Sequence, residues 1–385
     1  MTQPRHGEPV PWFEAQTTHN PTFRFHTVGG AYVVLCCFGS LANPASRRIV
    51  EDFKTAREHL DRDRSVILGV SVDPNDRQTP LYSDGDAFIT FWDFDRRVSQ
   101  LYGLLAPAAP ESGAQARYRP CTFILDPTLR VLEIVPFTTP ETHVQQVVDY
   151  LAGLPELGTE QPAGAQAPML VVPRVFEPEL CRTLIDYYGT HEPTDSGFMR
   201  EVDGKTVEVL DHNFKRRQDC SIDDPGLRDT CRLRVVQRLV PEIAKVYQFR
   251  ATRIERYIVA CYDSTSGGYF RPHRDNTTKG TAHRRFAVTI NLNAEDYDGG
   301  DLCFPEYGRQ LFRAPTGGAV VFSCSVLHEA RPITSGTRYC FLPFLYDDAA
   351  AKLREQNLKY VAKREPAPEE AAQDTDTADD GEVRP

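Results

Sequence analysis

Hydrophobic residues along this chain fall in two rhythms, and the rhythm changes near the middle. Up to about residue 155, unbroken apolar runs alternate with segments of helical spacing. "AYVVLCCF" (31–38) and "SVILGVSVD" (65–73) have no polar face, as strands covered on both sides of a parallel sheet require. Between them, "PASRRIVEDFKTAREHLDRD" (44–63) sets Ile49, Phe53, Ala56 and Leu60 along one side of a helix, with charges opposite. "CTFILDPTLRVLEIVPF" (121–137) predicts a hairpin turning at Asp-Pro-Thr, and "PETHVQQVVDYLAGL" (140–154) a closing helix opened by proline. Alternating β and α elements predict a three-layer α/β domain over 1–155.

Residues 156–168 lose the hydrophobic period to Pro, Gly, Ala and Gln and read as a linker. Beyond it, "MLVVPRVFEPELCRTLIDYY" leads into a helix, and the basic stretch from "NFKRRQDC" to "VVQRLVPEIAKVY" predicts another amphipathic one. From Thr252 onward, short β-rich runs follow one another: "RIERYIVACY", "FAVTINLN", "DLCFPE", "AVVFSCSVL", "RYCFLPFLY". Many short strands with turn signals predict a jelly-roll or barrel-like double sheet over 169–348, with flanking helices. A further helix and then a disordered acidic tail are expected over 349–385.

Composition narrows the function classes. The net charge is −10, but eight acids and one arginine after residue 364 supply −7 of it. The remainder is almost neutral, so no basic footprint for nucleic acid exists. The first residues lack the apolar core of a signal peptide, and no apolar run has the length to span a bilayer. Ten cysteines without a Cys-x-x-Cys pair suit a reducing compartment, so a cytoplasmic protein is expected.

Candidate chemistry centres on "GGYFRPHRDN" (267–276). A kinase catalytic loop would need an asparagine five residues after the aspartate, and Asp275 is followed there by Gly280. His273 and Asp275, two apart on an extended segment, point to one side and can share a metal. The pattern is weak alone, since "HLD" (59–61) repeats it on a charged helix face. His328, in "SVLHEARPITSGTRYCF", offers a third donor. Two histidines and one carboxylate make the facial triad of non-haem Fe(II) oxygenases, which leaves coordination positions open. Arg338, ten residues on, can hold a carboxylate bidentately, as a dicarboxylic 2-oxoacid requires.

Taken together, "CYDSTSGGYFRPHRDN", "TINLNAEDYDGGDLCFPE" and "PTGGAVVFSCSVLHEARPITSGTRY" resemble the 2-oxoglutarate/Fe(II) dioxygenases of the prolyl 4-hydroxylase-like group. The resemblance implies a double-stranded β-helix with iron on His273, Asp275 and His328. It also implies 2-oxoglutarate on Arg338 beside Tyr262, with O₂ as co-substrate and ascorbate as a reductant. The implied reaction hydroxylates an unactivated C–H bond of a small molecule, amino acid or peptidyl residue, releasing succinate and CO₂; a peptidyl-prolyl hydroxylase is the alternative. Asn291 stands where some relatives have a co-substrate tyrosine, which leaves its part open. Residues 198–219 are expected to cover the mouth of the site. Lys215, Arg216 and Arg217, with Arg256 on the strand face of Tyr262, are candidates for attracting an acidic substrate group.

The first half resembles the peroxiredoxins, of thioredoxin-like fold, in "GEPVPWFEAQTT", "GVSVDP", "WDFDRRVSQLYGLL" and "RPCTFILDP". That family carries its attacking cysteine in a Pro-x-x-x-Thr-x-x-Cys loop after the first buried strand. Here the loop reads "GSLANPASR" (39–47), without cysteine. Cys36, Cys37 and Cys121 are expected to be structural, which weighs against a thiol peroxidase. A partner protein or self-association through this domain, or a binding and sensing role for the whole chain, are the remaining possibilities.

Overall fold

A computed structural model describes residues 2–57, 60–61, 64–79, 89–105, 117–160, 162, 164–362 and 381–382. The chain divides into two compact units, 1–161 and 162–385, and the division falls inside the expected linker.

In the first unit, β1 (Tyr32–Gly39) is flanked by two parallel strands on one side, β2 (Ser65–Ser71) and then β3 (Ile89–Trp92). On its other side runs the antiparallel hairpin of β4 (Cys121–Leu125) and β5 (Val131–Pro136). Tyr32, Val34, Cys36 and Phe38 face α1 (Pro44–Arg57) and α3 (His143–Ala152), α2 being Arg97–Leu101. Val33, Leu35 and Cys37 face Phe13, Phe25 and Tyr102. Both faces of β1 are therefore covered, which is why its sequence shows no alternation; each fully buried Val or Leu contributes about 1.5–3 kcal/mol. The described part of the first helix ends at Arg57, so His59, in the second His-x-Asp, lies outside the described residues. Helix α3 starts at His143, three residues beyond the proline expected to open it.

The second unit is built from two sheets. Its larger sheet takes β6 (Met169–Val172), β10 (Gln218–Ser221), β11 (Arg253–Glu255), β12 (Ile258–Asp263), β14 (Phe286–Asn291), β16 (Ala319–Ser323), β18 (Thr337–Phe341) and β19 (Phe344–Tyr346). The order is β11-β19-β14-β18-β12-β10, with β16 between β14 and β6. The smaller sheet orders β9 (Lys215–Arg216), β13 (Tyr269–His273), β17 (His328–Ala330) and β15 (Leu302–Cys303). One face of the larger sheet, with Val259, Val288 and Ile290, packs against α4 (Pro178–Thr190), α5 (Pro225–Arg238) and α6 (Val240–Tyr247). Its other face, with Ala260 and Tyr262, meets Phe270 and Ala330 of the smaller sheet. This is the double-stranded β-helix with flanking helices. Helix α7 (Asp348–Asn357) follows, capped by the Asp347 carboxylate on the Ala350 N–H at 2.9 Å.

Three expectations change. The basic stretch forms two short strands, Lys215–Arg216 and Gln218–Ser221, in different sheets, and the helical pattern after it splits at Leu239, because Pro241 cannot continue α5 but suits the first turn of α6. "RIERYIVACY" breaks at Arg256, whose φ of 56° is left-handed, so Arg256 shares no strand with Tyr262. Gly381–Glu382, in the tail expected to lack structure, pairs with Arg253 and Ile254, where β11 leaves a sheet edge to be satisfied. Residues 363–380 lie outside the described residues.

Candidate metal centre

Strands β13 and β17 run antiparallel with His273 directly opposite His328. One extra residue on β13 makes a bulge between Phe270 and His273, a device that re-aims side chains at the end of a ladder. Asp275 follows on a segment held by its N–H to the Cys324 carbonyl at 3.0 Å. The result is a cluster of three donors whose ligand atoms all lie within 4.8 Å of one another. His273 Nε2 stands 3.6 Å from Asp275 Oδ1, and His328 Nε2 stands 3.4 Å from Asp275 Oδ2.

Each imidazole is fixed by its other nitrogen. His273 Nδ1 lies 2.7 Å from the Arg271 carbonyl and His328 Nδ1 lies 3.0 Å from that of Val326. A carbonyl only accepts, so both Nδ1 atoms carry the proton and both Nε2 lone pairs face Asp275. Burial, then the neighbouring His328, pushes His273 down to about 3, keeping the neutral ring a ligand needs. Burial alone would raise Asp275, yet His328 and His273 hold it low, in the ligating form. The rings are walled by Phe270, stacked 3.5 Å from His273, and Phe322, 4.5 Å from His328. Two imidazoles and a carboxylate on one side, with space on the other, suit a divalent transition metal such as Fe(II).

The space is a cavity of about 440 Å³ lined by all three donors. Arg338, from β18, lies in its wall and is only 3% exposed. Its Nη1 donates to the Gly300 carbonyl at 2.6 Å, while its Nε has no partner. No carboxylate lies within 4 Å of it among the described residues, so a buried fork remains available to an anion. Gly300 is glycine of necessity. Its φ is 70°, and a Cβ there would meet Ile333 Cδ1 at 2.3 Å. Tyr262, paired with Arg338 in register on the adjacent strand, lies with its ring under that guanidinium at 5.2 Å. Asn291 is buried outside the cavity lining, its Nδ2 donating to the Ala314 carbonyl.

The expected cover is a hairpin, β7 (Phe198–Val202) and β8 (Lys205–Val209), whose Phe198 and Glu208 line the cavity. Its turn residues Asp203 and Gly204 are left-handed at 50° and 76°, as tight hairpins require. Thr206 pins it, its Oγ1 accepting from Gly280 N–H and its carbonyl from Ala362 N–H, both at 2.9 Å. The basic triplet is sorted by strand alternation. Lys215 and Arg217 line the cavity, whereas Arg216 is exposed and bound to the carbonyls of His212 and Ser266. Arg274, centre of the His-Arg-Asp triplet, pairs with Glu306 at 2.7 Å.

Sequence reasoning overlooked two acidic partners. Asp219 holds Arg217 at 2.6 Å and was legible from the spacing 215, 217, 219 once that stretch is read as strand. Glu255 accepts from His283 Nε2 at 2.8 Å and Arg284 Nη2 at 2.6 Å. Burial would raise Glu255, but Arg284 and His283 outweigh it and hold it far below its usual range. No local signal joins residues that far apart.

In the first unit the loop 39–47 offers no sulfur nucleophile. The Ser46 hydroxyl is buried and donates to the Phe38 carbonyl at 2.7 Å. Burial pushes Cys36 and Cys37 well up and Cys121 to about 12, so none carries a thiolate at neutral pH.

The sequence profile of the 2OG-Fe(II) oxygenase superfamily matches residues 257–346, the segment that holds all three donors and Arg338. These residues form a 2OG-Fe(II) oxygenase domain. Residues 6–134 match the AhpC/TSA family, so the oxygenase domain follows a peroxiredoxin-like one. The chain is 31% identical over 96 residues to a PKHD-type hydroxylase of Synechococcus sp. (strain JA-2-3B'a(2-13)), covering 23% of this chain and 42% of that protein. To a PKHD-type hydroxylase of Shewanella sp. (strain ANA-3) it is 29% identical over 148 residues, covering 36% and 63%. It thus spans about half the length of the curated relatives it matches. Among solved structures, peroxidoxin BcpB from Mycobacterium tuberculosis covers 40% of this chain and all of its own at 18% identity and a TM-score of 0.35. A prolyl hydroxylase from Trichoplax adhaerens, complexed with a hypoxia inducible factor peptide fragment, covers 49% and 86% at 16% identity and a TM-score of 0.38. No helix among the described residues is long and apolar enough to cross a membrane.

Proposed function

We propose that this protein is an Fe(II)- and 2-oxoglutarate-dependent dioxygenase that hydroxylates a C–H bond of a small molecule. The observation that carries the reading is one cavity holding both a three-donor metal cluster and a buried arginine without a carboxylate. His273, Asp275 and His328 would hold the iron, which when bound supplies the activation of O₂ that protein side chains cannot. The carbonyls of Arg271 and Val326 orient the two imidazoles by taking their Nδ1 protons. Arg338 receives the distal carboxylate of 2-oxoglutarate, and Tyr262 closes that side of the pocket. Phe270 and Phe322 exclude water around the ligands. The balance is R–H plus 2-oxoglutarate plus O₂ giving R–OH, succinate and CO₂, with ascorbate keeping the iron ferrous between turnovers. Ten free cysteines, all buried, support a reducing, cytoplasmic setting. The peroxiredoxin-like unit, without an ionisable thiol, serves docking or self-association rather than peroxide chemistry.

The test is anaerobic purification, addition of Fe(II), and measurement of 2-oxoglutarate-dependent succinate formation on admitting O₂. Wild type should form succinate, and His328→Ala should lose it together with Fe(II) binding. Absence of both turnover and iron-dependent 2-oxoglutarate binding in wild type would defeat the reading.

A further inference from the structure

We propose that Lys215 and Arg256 form a second cation centre in this cavity, one that receives the carboxylate or phosphate of a small-molecule substrate. The inference rests on the oxygenase reading for the chemistry, but its own support is a census of charge. Arg217 is neutralised by Asp219 at 2.6 Å, Arg284 by Glu255 at 2.6 Å, and Arg274 by Glu306 at 2.7 Å. Arg338 is reserved for the co-substrate. Arg200 is exposed to solvent on the hairpin beside Phe198. Lys215 and Arg256 are the cations that remain away from bulk water, and neither has a carboxylate within 4 Å among the described residues. Uncompensated cations taken out of water are costly unless an anion joins them.

Both are aimed by the backbone. Lys215 is 4% exposed, and its Nζ donates to two neutral oxygens, Ser196 Oγ at 2.7 Å and the Gly197 carbonyl at 2.5 Å. An ammonium carries three protons, so one donor is left. Arg256 donates from Nε to the Leu342 carbonyl at 3.0 Å, while its two terminal nitrogens have no hydrogen-bond partner among the described residues. Its left-handed backbone breaks the strand and lays the guanidinium 4.4 Å from the Phe344 ring at the cavity wall. Burial, then repulsion from Arg217, lowers Lys215, while the Asp219 carboxylate supports its charged form; burial, Arg217 and Arg284 bring Arg256 down to about 10. An arriving anion relieves both.

Lys215 feels the charge of Arg256 across the cavity, and its end of the centre lies close to the metal cluster. Lys215 Nζ sits 4.8 Å from the centre of the Phe270 ring, which itself stacks on His273 at 3.5 Å. The ammonium is therefore no farther from that imidazole than these two separations laid end to end. A substrate anchored there presents carbon a few bonds from its anionic group. The cavity volume and the hairpin roof suit a small molecule sharing the space with 2-oxoglutarate. In the step itself, one oxygen atom of O₂ enters the C–H bond as a hydroxyl. The other enters succinate as 2-oxoglutarate is oxidised and loses CO₂.

Two measurements on the full chain test this. In the first, Fe(II)-loaded protein is given short aliphatic and amino acids, each beside its primary amide, and alkyl phosphates, and succinate is measured. Acids or phosphates should stimulate, with kcat/KM about tenfold or more above the matching amide or alcohol. That preference should collapse in Arg256→Gln and Lys215→Met and persist in part in Arg256→Lys; the acid and phosphate arms show which anion is used. Amides performing as well as acids, or stimulation confined to acidic peptides, would overturn the proposal. In the second, metal-free protein saturated with succinate at Arg338 is titrated with inorganic sulfate by calorimetry. One sulfate more per chain should bind to wild type than to the Lys215→Met/Arg256→Gln double variant, whose folding is checked by circular dichroism. Equal binding would refute the centre. A wild type that forms no succinate with any compound and binds no 2-oxoglutarate in the presence of Fe(II) fails the oxygenase reading, and the sulfate titration then decides this one alone.

Discussion

Arg338 separates a structural arginine from a ligand-binding one by the sign of two effects. It is 3% exposed, with one N–H given to Gly300 and Nε unpartnered. A guanidinium so placed carries its desolvation cost with little return. Arg338→Met, of similar reach and no charge, should leave the stability of the second unit unchanged or raise it by about 1–3 kcal/mol. For a unit of this size that is about 2–4 °C in Tm per kcal/mol. Affinity for 2-oxoglutarate should move the other way. Breaking a buried ion pair costs about 3–5 kcal/mol, so Kd should rise by roughly two to four orders of magnitude. Arg338→Lys should lie between, keeping the charge and losing the fork. Scanning calorimetry without co-substrate gives the first quantity, and calorimetric titration of 2-oxoglutarate into Fe(II)-loaded protein under argon gives the second. A fall in Tm together with less than about a tenfold change in Kd would show that Arg338 holds the sheet together rather than the ligand.

His143 is 1% exposed, bonded to Thr122 at 2.8 Å, and burial lowers it from the usual 6.5 to about 4. A fold that favours the neutral ring keeps its full stability above pH 6.5 and loses it as pH falls towards 4, by about 3 kcal/mol. His143→Gln should flatten that slope in urea unfolding at stepped pH, and an unchanged slope would count against the assignment. Glu255→Gln leaves Arg284 buried without its acid and should cost about 3–5 kcal/mol in unfolding free energy, with a loss under about 1 kcal/mol contradicting the cluster. Cys36→Ala and Cys37→Ala should leave peroxide consumption at the buffer rate of wild type; any wild-type consumption that disappears in either variant would revive a thiol peroxidase.

The residues legible in the sequence were those whose geometry is local. His273 and Asp275 lie two apart on a strand end, and both faces of β1 are apolar because both are covered. What stayed hidden depends on partners distant in sequence. Lys215 and Arg216 form a short charged strand whose pairing comes from Phe270 and Tyr269, more than fifty residues on, so composition suggested a helix instead. "RIERYIVACY" has unbroken strand propensity, and only tertiary packing forces Arg256 out of it. Glu255, His283 and Arg284 meet across a turn that no periodicity reports.

His273 and His328 oppose each other across neighbouring strands, so any ion they share is a cross-strand rivet. Its loading should be visible far from catalysis, as slowed hydrogen exchange at the Asp275 amide bonded to Cys324 and along the β13–β17 ladder. A cell short of iron would then hold this domain in a looser, more protease-sensitive form, and metal supply would set how long the protein lasts as well as how fast it works.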